Sequence, residues 1–285
     1  MQLISYIILR ITIVLFGLLP WFVLRPMGNL IYVVLYHIIK YRRKVVWLNL
    51  RRAFPKKSFD TLKGIEKRYY KYLVNVLIET LKGMHLRNQH IHQRFILDQQ
   101  LDALLSGDKK VILVGAHQGN WEWACRVGGL ISTNPFYVLY SPLKNKYISQ
   151  FIQRSRERSN AKLIPFSDVH AIRNQQKGAL MLLGDQSPSN PRRAHLVVFF
   201  DQPTYFLRGP AYFAKKWNVP IYFVHIHGSR DQSFVVDLHL IAEQDSQLTE
   251  KEITQKYAHE LEKSIQKKPH NWLWSHRKWK HSPPS

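Results

Sequence analysis

Acid is scarce in this 285-residue chain: 19 Asp and Glu stand against 42 Lys and Arg, a formal net charge of +23. A field of that sign calls for an anionic partner or surface, and nucleic acid, anionic lipid headgroups and an acidic carrier protein are the candidates. Cysteine is nearly absent. The single Cys125 excludes an internal disulfide, fits a reducing compartment, and reads as a small packing residue rather than a nucleophile. There is no internal repeat and no low-complexity segment, and 45% hydrophobic with 21% charged residues is the balance of a folded chain. Zinc-finger spacing, an RNA-recognition aromatic motif and an obvious recognition helix are all missing, which turns the charge towards lipid and carrier protein and away from nucleic acid. No G-x-S-x-G nucleophile elbow occurs. His225-x-His227 and His90-x-His92 each lack a nearby Cys or carboxylate in sequence, and no metal is expected.

What is plentiful is apolar sequence at the N-terminus. Residues 3–24 (LISYIILRITIVLFGLLPWFVL) are about long enough to cross a bilayer core of roughly 30 Å, with Arg10 the one charge inside. No small-x-small cleavage site follows, so the segment reads as a retained membrane-anchoring helix, spanning or lying at the interface. Residues 28–39 are too short to span and read as membrane-surface or groove lining. Lys40, Arg42, Arg43, Lys44, Arg51, Arg52, Lys56 and Lys57 follow. By the positive-inside rule they keep the body of the protein on the cytoplasmic side, against anionic lipid. The expected division is an anchor and basic segment over 1–58 and a catalytic domain over 59–285.

Residues 111–124 (VILVGAHQGNWEWA) carry the most information. A short β-branched run stops at Gly115, His117 follows, Gly119-Asn120 turns the chain, and a helix starts near Trp121. This is a buried strand delivering His117 to its C-terminal edge, where α/β sheets place ligands and chemistry. The turn lets Glu122, in the first helical turn, fold back onto the imidazole. A carboxylate there would fix the tautomer of a general base and stabilise its imidazolium.

Strands are expected at 111–114, 136–140, 162–165, 179–183, 196–200, 220–227 and 234–241. Helices are expected at 60–85, 95–105, 121–132, 144–159, 168–176 and 209–217. Thr249-x-x-Glu252 is a capping box opening a last helix with the stripe Ile253, Tyr257, Leu261, Ile265, ended by Pro269. The alternation predicts an α/β fold: a mixed central sheet flanked by helices.

Taken together, His117-Gln118-Gly119-Asn120-Trp121-Glu122 resembles the H-x-x-x-x-D/E signature of the lysophospholipid acyltransferase superfamily. The Glu version within G-x-H-x-G-N-W-E is similar to the late lauroyl/myristoyl acyltransferases of lipid A biosynthesis. Further matching segments follow in the family's order: Tyr140-Ser141-Pro142-Leu143-Lys144-Asn145, Arg156-Glu157-Arg158-Ser159-Asn160, Gly184-Asp185-Gln186-Ser187, and Trp272-Leu273-Trp274-Ser275-His276-Arg277-Lys278-Trp279. The likeness covers nearly the whole chain.

That resemblance implies a glycerolphosphate acyltransferase-like sheet and transfer of a fatty acyl chain to a hydroxyl of a lipid A precursor. The donor would be an acyl carrier protein thioester, with coenzyme A a close variant, and no cofactor is implied. The bacterial inner membrane is the implied location. His117 is then the general base and Glu122 its orienting acid, with backbone amides of residues 119–121 holding the oxyanion. Arg156 and Arg158, ahead of Arg154, are candidates for binding phosphate. Asp185 would orient an Arg or shape the acceptor pocket, with Gly119 and Asn120 also at the site. Arg208-Gly209-Pro210 opens a helix that could hold phosphate, although Phe206-Leu207-Arg208 departs from the small hydroxyl residues usual in the family. The alternatives are acylation of a glycerophospholipid, aminolipid or other glycolipid, and a non-catalytic tethered binder of anionic lipid or nucleic acid.

Overall fold

The structure is a computed structural model and describes residues 2–228 and 233–281. It opens with α1 (Gln2–Leu18), a break at Leu19 and Pro20, and α2 (Trp21–Val33), which runs into a π-helical turn at Val34–Ile38. Then come α3 (Arg43–Ala53) and α4 (Phe59–Gly83). The expected single helix over 3–24 is therefore divided in two. Pro20 lacks an amide hydrogen and disfavours helical geometry in the residue before it. Among the described residues no single helix is long and apolar enough to cross a membrane; the nearest approach, Trp21–Ile38 with Arg43–Ala53, is bent by 86°. Of the two forms expected for the anchor, spanning or interfacial, the spanning helix is not found among the described residues.

The middle of the chain holds α5 (Asn88–His92), β1 (Phe95–Leu97), α6 (Gln99–Ser106), β2 (Lys110–Gly115), α7 (Trp121–Ile131), β3 (Phe136–Tyr140), α8 (Lys146–Glu157), β4 (Ala161–Pro165) and β5 (Gly178–Leu183). The remainder is β6 (Ala194–Phe199), β7 (Gln202–Leu207), α9 (Gly209–Trp217), β8 (Ile221–Gly228), β9 (Phe234–Ala242) and α10 (Glu250–Lys267). Seven strands form one sheet in the order β1-β9-β8-β2-β5-β3-β4, parallel throughout except for the β8–β9 pair. This is the mixed sheet expected.

Three expectations need correcting. Residues 95–97 are a strand rather than the start of a helix, because Asp98 caps α6 by accepting from the Gln100 amide at 2.8 Å and leaves the β-prone Phe-Ile-Leu extended. The helix expected at 168–176 is a 3-10 turn at Phe166–Ile172, whose buried Val169 and Ile172 eclipse at the three-residue spacing of that helix. The strand expected at 196–200 lies outside the main sheet, in a two-stranded antiparallel ribbon with β7. Its turn, Phe200-Asp201, has φ of 52° and 56°, as a tight hairpin turn requires, without the Asn-Gly that would have announced it.

β2 is buried along its whole length at the centre of the sheet. Ile112 and Val114 face one core cluster with α4, α9, α10 and the C-terminal tryptophans, while Val111 and Leu113 face another with α6 and α7. A sheet covered on both faces explains the unbroken apolar run. The first of these clusters also takes Val46, Leu50 and Ala53 of α3. Asn49 donates to the carbonyls of Trp274 at 2.8 Å and His276 at 2.7 Å, joining the N- and C-terminal segments across the back of the sheet.

Candidate active site

Parallel register builds the centre of the site. β2 and β5 are neighbours with Gly115 opposite Leu183, so His117 and Asp185, each two residues further on, emerge side by side. His117 Nδ1–H donates to Asp185 Oδ1 at 2.8 Å, and the His117 backbone amide donates to Oδ2 at 3.0 Å. The Trp272 indole N–H donates to the same Oδ2 at 2.8 Å. A buried carboxylate with three donors is compensated. Burial alone would push Asp185 up, but the charge of His117 and these hydrogen bonds hold it down at about 2. Burial likewise works against the imidazolium of His117, yet Asp185, with a smaller contribution from Glu122, leaves its pKa above the ordinary value.

Asp185, not Glu122, is thus the acid that fixes the His117 tautomer. Glu122 is instead engaged by Arg156, whose Nε and Nη2 donate to its two oxygens at 2.7–2.9 Å and so tie α8 to α7. The planar fork that suits Arg to phosphate is spent on a carboxylate here, so Arg156 is not a free phosphate ligand. Nor does Asp185 orient an arginine. The nitrogen left for chemistry is His117 Nε2, which accepts from Gln186 Nε2 at 3.0 Å.

The turn after His117 is held from behind. Asn120 caps α7 by accepting from the Trp123 amide at 3.0 Å, while its amide group donates to Glu79 at 2.9 Å. Burial raises the Glu79 carboxyl to about 7. The Trp123 indole donates to the Glu79 carbonyl and the Tyr72 hydroxyl to the Gly119 carbonyl. Gly119 has φ +56°, and a Cβ there would lie 2.4 Å from Ile226 Cγ2. Its amide donates to Asn271 Oδ1 at 3.1 Å, so it is not available to an oxyanion as expected. Asn271 in turn donates to the Ile226 carbonyl, and Gln118 bridges to Trp272 and to Ser264. Gly119 and Asn120 therefore shape the turn and do not face a substrate.

His117, Trp121, Glu122, Cys125, Arg156 and Gln186 line a cavity of about 430 Å³ at the C-terminal edge of the sheet. Val138 and Leu139 on β3, Leu163 on β4 and Met181 to Leu183 on β5 supply its apolar side, and Ser141, Ser149 and Gln153 add polar groups. Burial pushes the Cys125 thiol up to about 12, which keeps it protonated and not nucleophilic. Arg154 and Arg158 lie on the other side of α8, at a second cavity. Arg208 pairs with Glu250 at 3.0 Å, and of its neighbourhood only Leu207 reaches the His117 cavity. Among the described residues, the group best placed to hold a cation is His225, His227 and Asp237, with ligand atoms within 4.8 Å of one another. Asp237 stands opposite His225 across the β8–β9 ladder, a partner invisible in sequence. Lys268, however, donates to His227 Nδ1 at 3.2 Å, setting an ammonium against that group. The donor set suits a hydrogen-bonded cluster better than a metal.

A family model for bacterial lipid A biosynthesis acyltransferases matches residues 2–281. The chain belongs to that family. Among curated proteins, none matches it. Membership makes this chain an acyltransferase with a lipid A-type substrate. In this acyltransferase the H-x-x-x-x-E signature divides its labour: His117 faces the cavity, Asn120 caps, and Glu122 anchors α8. Gln186, Trp272, Asn271, His276 and Glu79 are site residues that sequence reasoning passed over. Gln186 stood next to Asp185 and was legible. The role of Trp272 was not, because its partner Asp185 lies 87 residues away in sequence. Trp272 and Trp274 are both buried, and Trp272 serves the site as well. His276 Nε2 accepts from the Ser187 amide at 2.9 Å, and burial lowers its pKa to about 4, so it stays neutral and accepting.

Proposed function

We propose that the protein moves a fatty acyl chain from an acyl carrier protein thioester to a hydroxyl of a lipid A precursor, at the cytoplasmic face of a bacterial inner membrane. One observation carries this reading. A buried carboxylate holds His117 with Nδ1 protonated, and Nε2 meets a cavity of about 430 Å³ whose apolar side chains on β3, β4 and β5 suit an acyl chain. The acceptor hydroxyl takes the place of the Gln186 amide at Nε2, and its proton passes to the imidazole as its oxygen attacks the thioester carbonyl carbon. The imidazolium is stabilised by Asp185 in contact and by the field of Glu122. The tetrahedral intermediate collapses with cleavage of the carbon–sulfur bond, and His117 returns the proton to the departing thiolate. The displaced Gln186 amide and the N-terminal turn of α7 are the donors nearest the developing oxyanion.

The large exposed hydrophobics concentrate between Leu3 and Leu48, which supports docking of this end on the membrane without a spanning helix. The surplus of basic side chains suits an acidic carrier, whose docking would be steered and salt-sensitive. The experiment is acyl transfer by detergent-purified protein, using a panel of carrier thioesters and a tetra-acylated lipid A precursor, with products weighed by mass spectrometry. Addition of one acyl chain, lost in His117→Ala, is expected. Turnover only with a total lipid extract would move the reaction to another lipid, and no thioester consumption at all would remove the catalytic reading.

A further inference from the structure

α8 separates two cavities. Ser149, Ile152, Gln153 and Arg156 face the His117 cavity, whereas Tyr147, Gln150, Phe151, Arg154 and Arg158 face the other, of about 340 Å³, closed on its far side by Tyr6 and Arg10 of α1. The second cavity is cationic. Arg10, Arg154 and Arg158 line it, no acidic residue does, and among the described residues no salt bridge engages any of the three. This contrasts with Arg156 one face away, whose charge is cancelled by Glu122.

The cavity is also shaped rather than a loose cluster of surface charge. Arg10 stacks 5.1 Å above the Phe151 ring and donates to the Tyr6 hydroxyl at 3.3 Å, and Tyr6 packs on Tyr147. Arg158 is held by the Met84 carbonyl at 2.8 Å. Guanidinium forks held by their neighbours keep further N–H donors for an oxyanion, and bidentate pairing with phosphate oxygens is the geometry they favour.

We propose that this cavity binds the phosphate of an anionic phospholipid headgroup. A phosphate could come from the acceptor or from the bilayer, and the bilayer is favoured by what surrounds the cavity. Leu3, Ile7 and Val14, the α1 residues one or two turns from Arg10, are exposed, and so are Ile4, Ile8 and Ile11. An apolar helix face with arginines at its edge is the pattern of a segment lying in the headgroup plane. The site therefore seats the protein so that α8 alone stands between the membrane lipid and the His117 cavity. The inference rests on the membrane-docking part of the proposed function, not on the acyl transfer.

The test is cosedimentation of the full chain with phosphatidylcholine vesicles, with and without phosphatidylglycerol. Wild type is compared with Arg10→Gln/Arg154→Gln/Arg158→Gln and with a charge-matched control, Lys251→Gln/Lys256→Gln/Lys267→Gln on exposed positions of α10. Each arginine near an anionic surface is worth roughly five-fold in partitioning, so the arginine triple should lose on the order of 100-fold on the anionic vesicles. The control should lose little, and binding to pure phosphatidylcholine should be equal in all three. Circular dichroism verifies that the variants are folded. Equal losses in both triples would reduce the effect to net charge and overturn the site. Unchanged vesicle binding, with a raised KM for a phosphorylated acceptor, would assign the cavity to the acceptor and overturn it too. Wild type that binds anionic vesicles through these arginines yet transfers no acyl group would leave this inference standing and the catalytic one refuted.

Discussion

Asp185→Asn separates an orienting acid from a merely nearby one. Oδ2 accepts from two fixed donors, the His117 amide at 3.0 Å and the Trp272 indole at 2.8 Å, so the amide oxygen of asparagine must take that position. Its NH2 group then faces His117 Nδ1, where a carboxylate oxygen now accepts at 2.8 Å. The only satisfied arrangement protonates Nε2 and leaves Nδ1 accepting, which is the wrong tautomer for a base directed at the cavity. Loss of turnover on the order of 10⁴-fold is expected, with KM little changed, because no cavity wall moves. The variant should remain folded, since the contacts of residue 185 with the His117 amide and the Trp272 indole survive the exchange, and rotation of the Gln186 amide lets its oxygen accept from the newly protonated Nε2. Its stability deficit should follow pH. The depressed pKa of Asp185 contributes stability present above its unfolded value of 3.8 and lost as pH falls through about 2. The raised pKa of His117 contributes stability present below 6.5 and lost as pH rises through its folded value. The two shifts describe one pair, counted once at about 2 kcal/mol and complete between roughly pH 4 and 6.5. Steady-state transfer from pH 5 to 9, beside urea unfolding at pH 5 and 8.5, measures both. The comparator is Glu122→Gln, which keeps the Asp185 contact and should retain far more activity. If Glu122→Gln lost more turnover than Asp185→Asn, or Asp185→Asn stayed within ten-fold of wild type, the assignment would be refuted.

Gly119→Ala should destabilise by about 2–4 kcal/mol, from a Cβ 2.4 Å from Ile226 Cγ2 on a backbone at φ +56°, lowering Tm by roughly 3–7 °C in calorimetry. An unshifted Tm would show that the turn can relax. Glu79 is an acid with a raised pKa, so wild type should lose stability as pH rises from its unfolded 4.5 through about 7. Glu79→Gln, which keeps an acceptor for Asn120, should remove that slope and gain about 2–3 kcal/mol relative to wild type at pH 8 but not at pH 4.5. Parallel pH profiles for the two proteins would contradict this. In a double-mutant cycle, Glu122→Ala and Arg156→Ala should couple by about 1–3 kcal/mol, because each alone leaves a partly buried charge without its partner. A coupling below about 0.5 kcal/mol in urea unfolding would mean that solvent already screens the pair.

How much was legible follows from the range of the interactions involved. β2 and β5 were readable because a doubly covered strand carries an uninterrupted apolar run, Val111 to Val114 and Ala179 to Leu183, and α10 was readable because Thr249 and Glu252 satisfy each other's orphan amides within four residues. His117 was readable as the residue at the end of such a strand, before a glycine turn. The division of residues 3–24 turned on Pro20, whose missing amide hydrogen is a local feature that a hydropathy average overlooks. The β6–β7 ribbon escaped because Phe200 and Asp201 adopt positive φ without being the residues that favour it.

By itself, the sequence determined most of the strands and the last helix, the histidine at the edge of the sheet, the charge that calls for anionic partners, and the resemblance to the family. The tertiary structure alone decided which acid partners that histidine. Spacing along the chain favoured Glu122, five residues away, over Asp185, 68 residues away. Strand order and register reversed that ranking, because β5 inserts beside β2 with Gly115 opposite Leu183 and brings 117 and 185 level. The same is true of Trp272 and Asn271, which reach the site only because the C-terminal segment folds back beneath the turn. Which strand pairs with which depends on contacts summed over the whole sheet, and the apolar pattern of β2 by itself does not select β5 from the other strands as its neighbour.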